Sequence, residues 1–106
     1  MRDFEFIVTK QNLIKSRKSD FSNVTPGSVN YLQCVFKFDY DWNGFTKVAS
    51  FQKDDKKEYP VLIKDGRCLI PEEITKDAGD FSIQVFGKKG DQKIVTNKVS
   101  IEQEGE

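Results

Sequence analysis

Asp39 and Asp41 bracket Tyr40 and lead into Trp42, the one place in the chain where carboxylates lie beside aromatic faces. An aromatic face with flanking acids can hold a sugar ring, so Asp39, Asp41 and Trp42 form a candidate carbohydrate platform. Calcium is the second chemistry such acids suggest. It takes six or more oxygens at a pinned turn, and this segment lacks the fuller Asp and Asn spacing. A glycosidase would need two carboxylates facing each other across a cleft, and spacing alone does not place a pair that way. The other acidic pairs, Asp54 with Asp55 and Glu72 with Glu73, sit in turn-like sequence. Acids there cap backbone amides and keep strand edges soluble, which is also the plain reading of Asp39 and Asp41.

The chain has no histidine. That removes Ser-His and Cys-His nucleophile systems, the usual general base near neutral pH and the commonest metal ligand. Cys34 and Cys68 lie among apolar neighbours in strand-like runs and lack zinc spacing, so they read as buried free thiols. A disulfide between them would close a long loop if the protein met an oxidising compartment. Gly87-Lys88-Lys89-Gly90 resembles a fragment of a phosphate loop, but no helix follows it, so it reads as a hairpin tip. No catalytic, cofactor-binding or metal-ligating residue emerges, and the expectation is a protein that is not an enzyme and needs no cofactor.

Charge narrows the partners. Seventeen basic and seventeen acidic residues cancel among 106. Without net positive charge, neither nucleic acid nor an anionic membrane is favoured as a partner. The basic run at Lys15, Arg17 and Lys18 has one aromatic nearby, Phe21, which is no stacking platform for bases. No apolar run approaches the ~18 residues of a membrane span, and the charged, alternating N-terminus is no signal peptide, so synthesis in the cytosol is expected.

The elements that position these residues have period two. Phe4, Phe6 and Val8 alternate with Glu5, Ile7 and Thr9; Leu32, Cys34, Phe36 and Phe38 mark an inner face. Lys47, Ala49 and Phe51 share a face, opposite Val48 and Ser50. Residues 53–57 form a charged tip, and Tyr59, Val61 and Ile63 return from it. Pro60 within that run indicates an edge or a bulge, because proline cannot donate to a ladder. Asp65-Gly66 is a hairpin signal. Pro71 can open one helical turn near residues 71–75. Phe81, Ile83 and Val85 alternate with Ser82, Gln84 and Phe86. Residues 94–101 form the last strand, with Val95, Val99 and Ile101 inward, and residues 102–106 a flexible acidic tail. Seven or eight strands with turns about every 8–12 residues predict an all-β fold. The chain reads as one antiparallel, Ig-like β-sandwich over residues 1–101, with a partly open barrel as the alternative.

The aromatic cluster around the Asn43-Gly44 turn has two readings. Trp42, Tyr40 and Phe45 could be interface anchors, since Trp and Tyr carry much interface energy. A Trp just before a tight turn can equally fold back over the open end of a sandwich, and this reading is preferred for Trp42. The docking candidates are therefore Tyr40, Phe45, Lys47 and Tyr59, with Arg17 and Lys18 outside them.

The second half also carries an ordered pattern. It runs Trp42-Asn43-Gly44-Phe45-Thr46-Lys47, with Ala49 and Phe51, then Tyr59-Pro60-Val61 and Cys68-Leu69-Ile70-Pro71. Ala78-Gly79-Asp80-Phe81 follows, its strand ending at Gly87, and then Thr96-Asn97-Lys98-Val99. Over residues 30–101 this resembles the N-terminal domain of upper baseplate proteins of tailed phages and prophages of Gram-positive bacteria. The resemblance implies a β-sandwich adaptor made in the bacterial host cytoplasm and built into the virion tail. It would dock other tail or baseplate proteins, often as a homotrimer. The chain departs from that pattern by ending soon after its last strand, with neither helical stalk nor binding head. A phage-encoded inhibitor of a host defence protein is the alternative the resemblance leaves open, and a carbohydrate-binding module is the alternative from the residues.

Overall fold

The structure is a computed structural model that describes residues 1–53 and 57–104. Among these residues run nine strands: β1 (Arg2–Thr9), β2 (Asn12–Lys15), β3 (Leu32–Phe38), β4 (Thr46–Gln52), β5 (Glu58–Leu62), β6 (Arg67–Leu69), β7 (Phe81–Lys89), β8 (Gln92–Val95) and β9 (Val99–Ile101). A 3-10 turn spans Tyr40–Trp42 and one helical turn, α1, spans Glu72–Thr75. One sheet has the order β2-β1-β3-β6; the other runs β5-β4-β7, with β8 and β9 both on the far side of β7. The molecule is the all-β sandwich that period-two patterning predicts. The expectation of a wholly antiparallel sandwich is corrected at one place: β1 and β3 pair in parallel, Phe4 opposite Cys34 and Phe6 opposite Phe36. Residues 10–31, with β2 among them, carry the chain back to the starting end, as a parallel pair requires.

The inner faces make one core. Phe4, Phe6, Val8, Phe51, Ile83, Val85 and Trp42 have no exposed surface. A row of ring contacts runs through it: Phe6 to Phe36 at 5.3 Å, Phe36 to Phe38 at 5.8 Å, Phe38 to Trp42 at 5.1 Å and Trp42 to Phe45 at 6.3 Å. Such pairs add about 0.5–1.5 kcal/mol each beyond area burial. Cys34 and Cys68 stand directly opposite each other between β3 and β6, buried as free thiols.

Each lateral opening of the sandwich is closed by a specific device. At one side Asp65 and Gly66 take left-handed φ of 52° and 75°, and Lys64 and Arg67 exchange backbone hydrogen bonds of 3.0 Å. This is the two-residue turn that the sequence predicts, and a Cβ on Gly66 would lie 2.9 Å from the Phe36 carbonyl. The strands it joins are not one hairpin, however; the turn passes the chain from β5 in one sheet to β6 in the other. Pro60 sits on β5, an edge strand, as expected of a residue that removes a donor.

At the other side the predicted last strand breaks into β8 and β9. Phe86 pairs with Val95, but Ile83, three residues earlier, pairs with Val99, four residues later. The one-residue surplus is a bulge. Thr96 heals the ladder there: its N–H donates to the Val85 carbonyl at 3.1 Å and its hydroxyl accepts from the Val85 N–H at 3.0 Å. Asn97 then turns across to β2. Its Oδ1 accepts from the Leu13 N–H at 2.8 Å and its Nδ2 donates to the Leu13 carbonyl at 3.0 Å. One side chain thus serves as a strand neighbour for the edge of the first sheet. The bulge also overturns an inward assignment: Val95 faces the same side as Phe86, outward, because one extra residue flips a strand's faces.

The tail differs from expectation too. Gln103 is 3% exposed, and its Nε2 donates to the carbonyls of Ile74 at 3.2 Å, Asp77 at 2.6 Å and Gly79 at 3.3 Å. The Glu104 N–H donates to the Val24 carbonyl at 2.8 Å. Residues 102–104 are therefore tied to the domain rather than frayed. The expected acidic charges at Asp54, Asp55 and Glu106 lie outside the described residues.

Candidate functional site: an apolar row on an open sheet face

The aromatic turn is a structural lock. The Trp42 indole is fully enclosed, and its Nε1 donates to the Lys10 carbonyl at 2.8 Å. Asp39 Oδ2 accepts from the Lys10 N–H at 3.0 Å. Lys10 has a left-handed φ of 55° in the tight turn between β1 and β2. Both of its backbone groups are satisfied from the aromatic segment. Gly87 on β7 is what lets the indole in, since a Cβ there would lie 2.6 Å from Trp42 Cζ3. The carbohydrate platform is corrected on this geometry: Trp42 offers no face to a ligand and Asp39 caps a turn. Asp41 remains half-buried. Among the described residues, no group of three or more Cys, Asp or Glu could hold a metal ion.

The docking candidates are dispersed. Tyr40 is 79% exposed at the end of the sandwich. Phe45 is half-buried and lines a shallow hollow of about 410 Å³ with Asp41, Gln92, Lys93 and Ile94. Lys47 folds over the core end, its Nζ 5.3 Å from the Phe38 ring centre and donating to the Phe45 carbonyl at 3.2 Å. Tyr59 packs against the core, with Lys57 Nζ 5.5 Å above its ring, so it is corrected from a surface anchor to an inner-face residue. Arg17 and Lys18 are exposed in the turn after β2, on the other sheet. The structure therefore groups Tyr40, Phe45 and Lys47 at one end, and leaves Tyr59, Arg17 and Lys18 elsewhere.

A further surface feature lies near Phe45, on the solvent face of the five-stranded sheet. Strand register aligns Leu62 with Val48, Val48 with Phe86 and Phe86 with Val95. This places an apolar row across four strands on the face turned away from the core. Val48, Phe86 and Val95 are half-buried by one another, and Leu62 is 49% exposed. The row on one side of it is Thr46, Lys88 and Lys93, and the row on the other is Pro60, Ser50 and Gln84. Val48, Ser50, Glu58, Pro60, Phe86 and Lys93 line an open hollow of about 360 Å³. Lys93 Nζ lies 5.6 Å from the Phe86 ring centre, and Ser50 Oγ donates to Glu58 Oε1 at 3.1 Å. The solvent face of an antiparallel sheet is normally polar, so a contiguous apolar row there is a candidate interaction surface. The first sheet's outer face also exposes Ile7 and Ile14, but there Lys37, beside Ile7 on β3, interrupts the apolar row.

Sequence reasoning missed this row. The signal available was the apolar identity of Val48 and Phe86 at positions alternating outward. Val95 carried no such signal, because its outward direction depends on the bulge.

No family model matches this chain, and no curated protein is similar enough to it to count as a relative. No helix among the described residues is long and apolar enough to cross a membrane.

Proposed function

We propose that this protein is a non-enzymatic docking module that binds another protein through the open face of its five-stranded sheet. The observation that carries the reading is the cross-strand row Leu62, Val48, Phe86 and Val95, of which Val48 and Phe86 line an open hollow. Burying such a row contributes about 25 cal/mol per Å² of apolar surface. A rim of polar groups fixes orientation, as at other protein interfaces. The setting we propose is a phage or prophage tail baseplate. Its support is the ordered pattern from Trp42 to Asn97, above all Ala78-Gly79-Asp80-Phe81 and Thr96-Asn97.

The test is light scattering on the purified chain, alone and mixed with each tail protein encoded beside its gene. The expected result is a stable assembly that the paired exposed-row substitution Leu62→Asp with Phe86→Ser abolishes while the melting temperature stays within a few degrees. A chain that stays monomeric with every such protein, or a variant that assembles like the wild type, would overturn the reading.

A further inference from the structure

Lys88 and Lys93 stand directly opposite each other on β7 and β8, beside the apolar row. Like charges in that relation destabilise a sheet. Both side chains are exposed, and among the described residues neither ammonium is paired with a carboxylate. Lys93 is drawn over Phe86, so its charge sits at the margin of the hollow. The face therefore presents apolar surface bordered on one side by two cations that are in no ion pair among the described residues, with Asp41 and Glu58 the acids lining the hollows that Lys93 shares.

We infer that the occupant of this face is an acidic segment of a partner protein. Its apolar side chains would seat among Pro60, Val48 and Phe86, and its carboxylates would meet Lys88 and Lys93. The inference rests on the docking reading above and adds the chemistry of the partner.

A second copy of the chain supplies that chemistry only in part. A two-fold axis parallel to the strands would lay the lysine row on its own copy. A two-fold axis along the apolar row would lay the lysines over Pro60, Ser50 and Gln84, which carry no charge. The Glu58 backbone lies a further row away, about 7 Å along the strands, but its Oε1 reaches back to the Ser50 hydroxyl at 3.1 Å, so it is the one acid that the second axis brings near the lysines. Self-association about either axis thus sets at most one carboxylate, already held by Ser50, against two cations, whereas a run of acids in a partner segment meets both.

The test uses the full chain, isotopically labelled, and two end-capped peptides. Each has the same Leu and Phe content; one is flanked by glutamates, the other by lysines. The glutamate peptide is expected to shift the amide signals of Val48, Phe86, Lys88 and Lys93 saturably, and the lysine peptide to leave them in place. Reversal of both charges, Lys88→Glu with Lys93→Glu, is expected to weaken the glutamate peptide about tenfold, as two exposed ion pairs allow. Binding should also fall as salt rises past ~0.15 M, where screening acts within about 8 Å. Circular dichroism melts of the reversed variant check that it folds.

Equal shifts from both peptides would overturn the acidic partner while leaving the docking reading intact. No shift at this face with either peptide overturns the inference, and the assembly test above then decides the docking reading independently. Shifts that grow with protein concentration alone would point to a second copy and overturn it. Shifts with anionic vesicles but not with the glutamate peptide would assign the face to a membrane surface and overturn it too.

Discussion

Replacing Gly87 by alanine adds one methyl at the tightest point of the fold. Gly87 pairs with Lys47 on one side and Ile94 on the other, in the middle of a sheet. Where the backbone allows it, Gly→Ala stabilises by about 0.4–1 kcal/mol, because it reduces the freedom of the unfolded chain. Here the new Cβ would lie 2.6 Å from Trp42 Cζ3, 3.0 Å from Trp42 Cε3 and 3.3 Å from Phe45 Cδ2. The indole has nowhere to retreat. Its Nε1 is held on the Lys10 carbonyl, and the Phe38 ring lies against it at 5.1 Å. Overpacking of this kind costs about 1–3 kcal/mol and exceeds the entropic gain. A domain of this size loses about 4–8 °C per kcal/mol, so a fall of roughly 5–15 °C in melting temperature is expected. Urea unfolding followed by Trp42 fluorescence reads the same quantity at constant temperature. Trp42→Phe in the Gly87→Ala background should recover part of the loss, a coupling that contact predicts. A Gly87→Ala protein as stable as the wild type, or more so, would refute the argument that glycine is there to admit the indole.

Asn97→Ala removes both partners of Leu13 across the sandwich edge and should cost about 1–3 kcal/mol. Hydrogen exchange at the Leu13 amide should accelerate more than at Val85, and unchanged protection at Leu13 would count against the bridging role. Gln103→Ala strips an amide donor from three carbonyls and should destabilise by about 1–3 kcal/mol, whereas a frayed tail would give no change in a urea titration. Burial, and then the Cys68 thiol beside it, pushes the Cys34 thiol well above its usual 9.0. The folded state thus holds a proton that the unfolded chain releases above pH 9, so this contribution to stability is complete below pH 9 and declines as pH rises. Urea titrations from about pH 7 to about pH 10.5 should fall more steeply with pH for the wild type than for Cys34→Ala, and equal slopes would contradict the buried-thiol account.

Local pattern carried much of the architecture. Phe4, Phe6 and Val8, or Phe81, Ile83 and Val85, alternate because one face of each strand meets the core, and that alternation is visible without any partner. Pro60 at an edge and Asp65-Gly66 at a turn follow equally from backbone chemistry, since proline lacks a donor and the turn needs positive φ. The parallel pairing of β1 with β3 was not legible, because the pairing of strands depends on the long path between them rather than on either strand's composition. The anchored tail was hidden for a related reason. A lone glutamine in an acidic stretch reads as solvated until three carbonyls from α1 and the turn after it converge on it.

The candidate site divides the same way. Tyr40, Phe45 and Trp42 drew notice because aromatic residues stand out in composition, yet burial made Trp42 a lock and left Phe45 at the margin of the apolar face. The row of Leu62, Val48, Phe86 and Val95 comes from four strands, and no linear spacing connects its members. Residue order was enough to establish that strands form, which faces of β1 and β7 are buried, and where two of the turns fall. The assembled sheets were needed to show that one extra residue at 96–98 turns Val95 outward, and to set the register that aligns it with Phe86, Val48 and Leu62. Side chains along a strand have a period of two, so a single-residue bulge reverses a face, and whether a bulge forms is settled by the neighbouring strand.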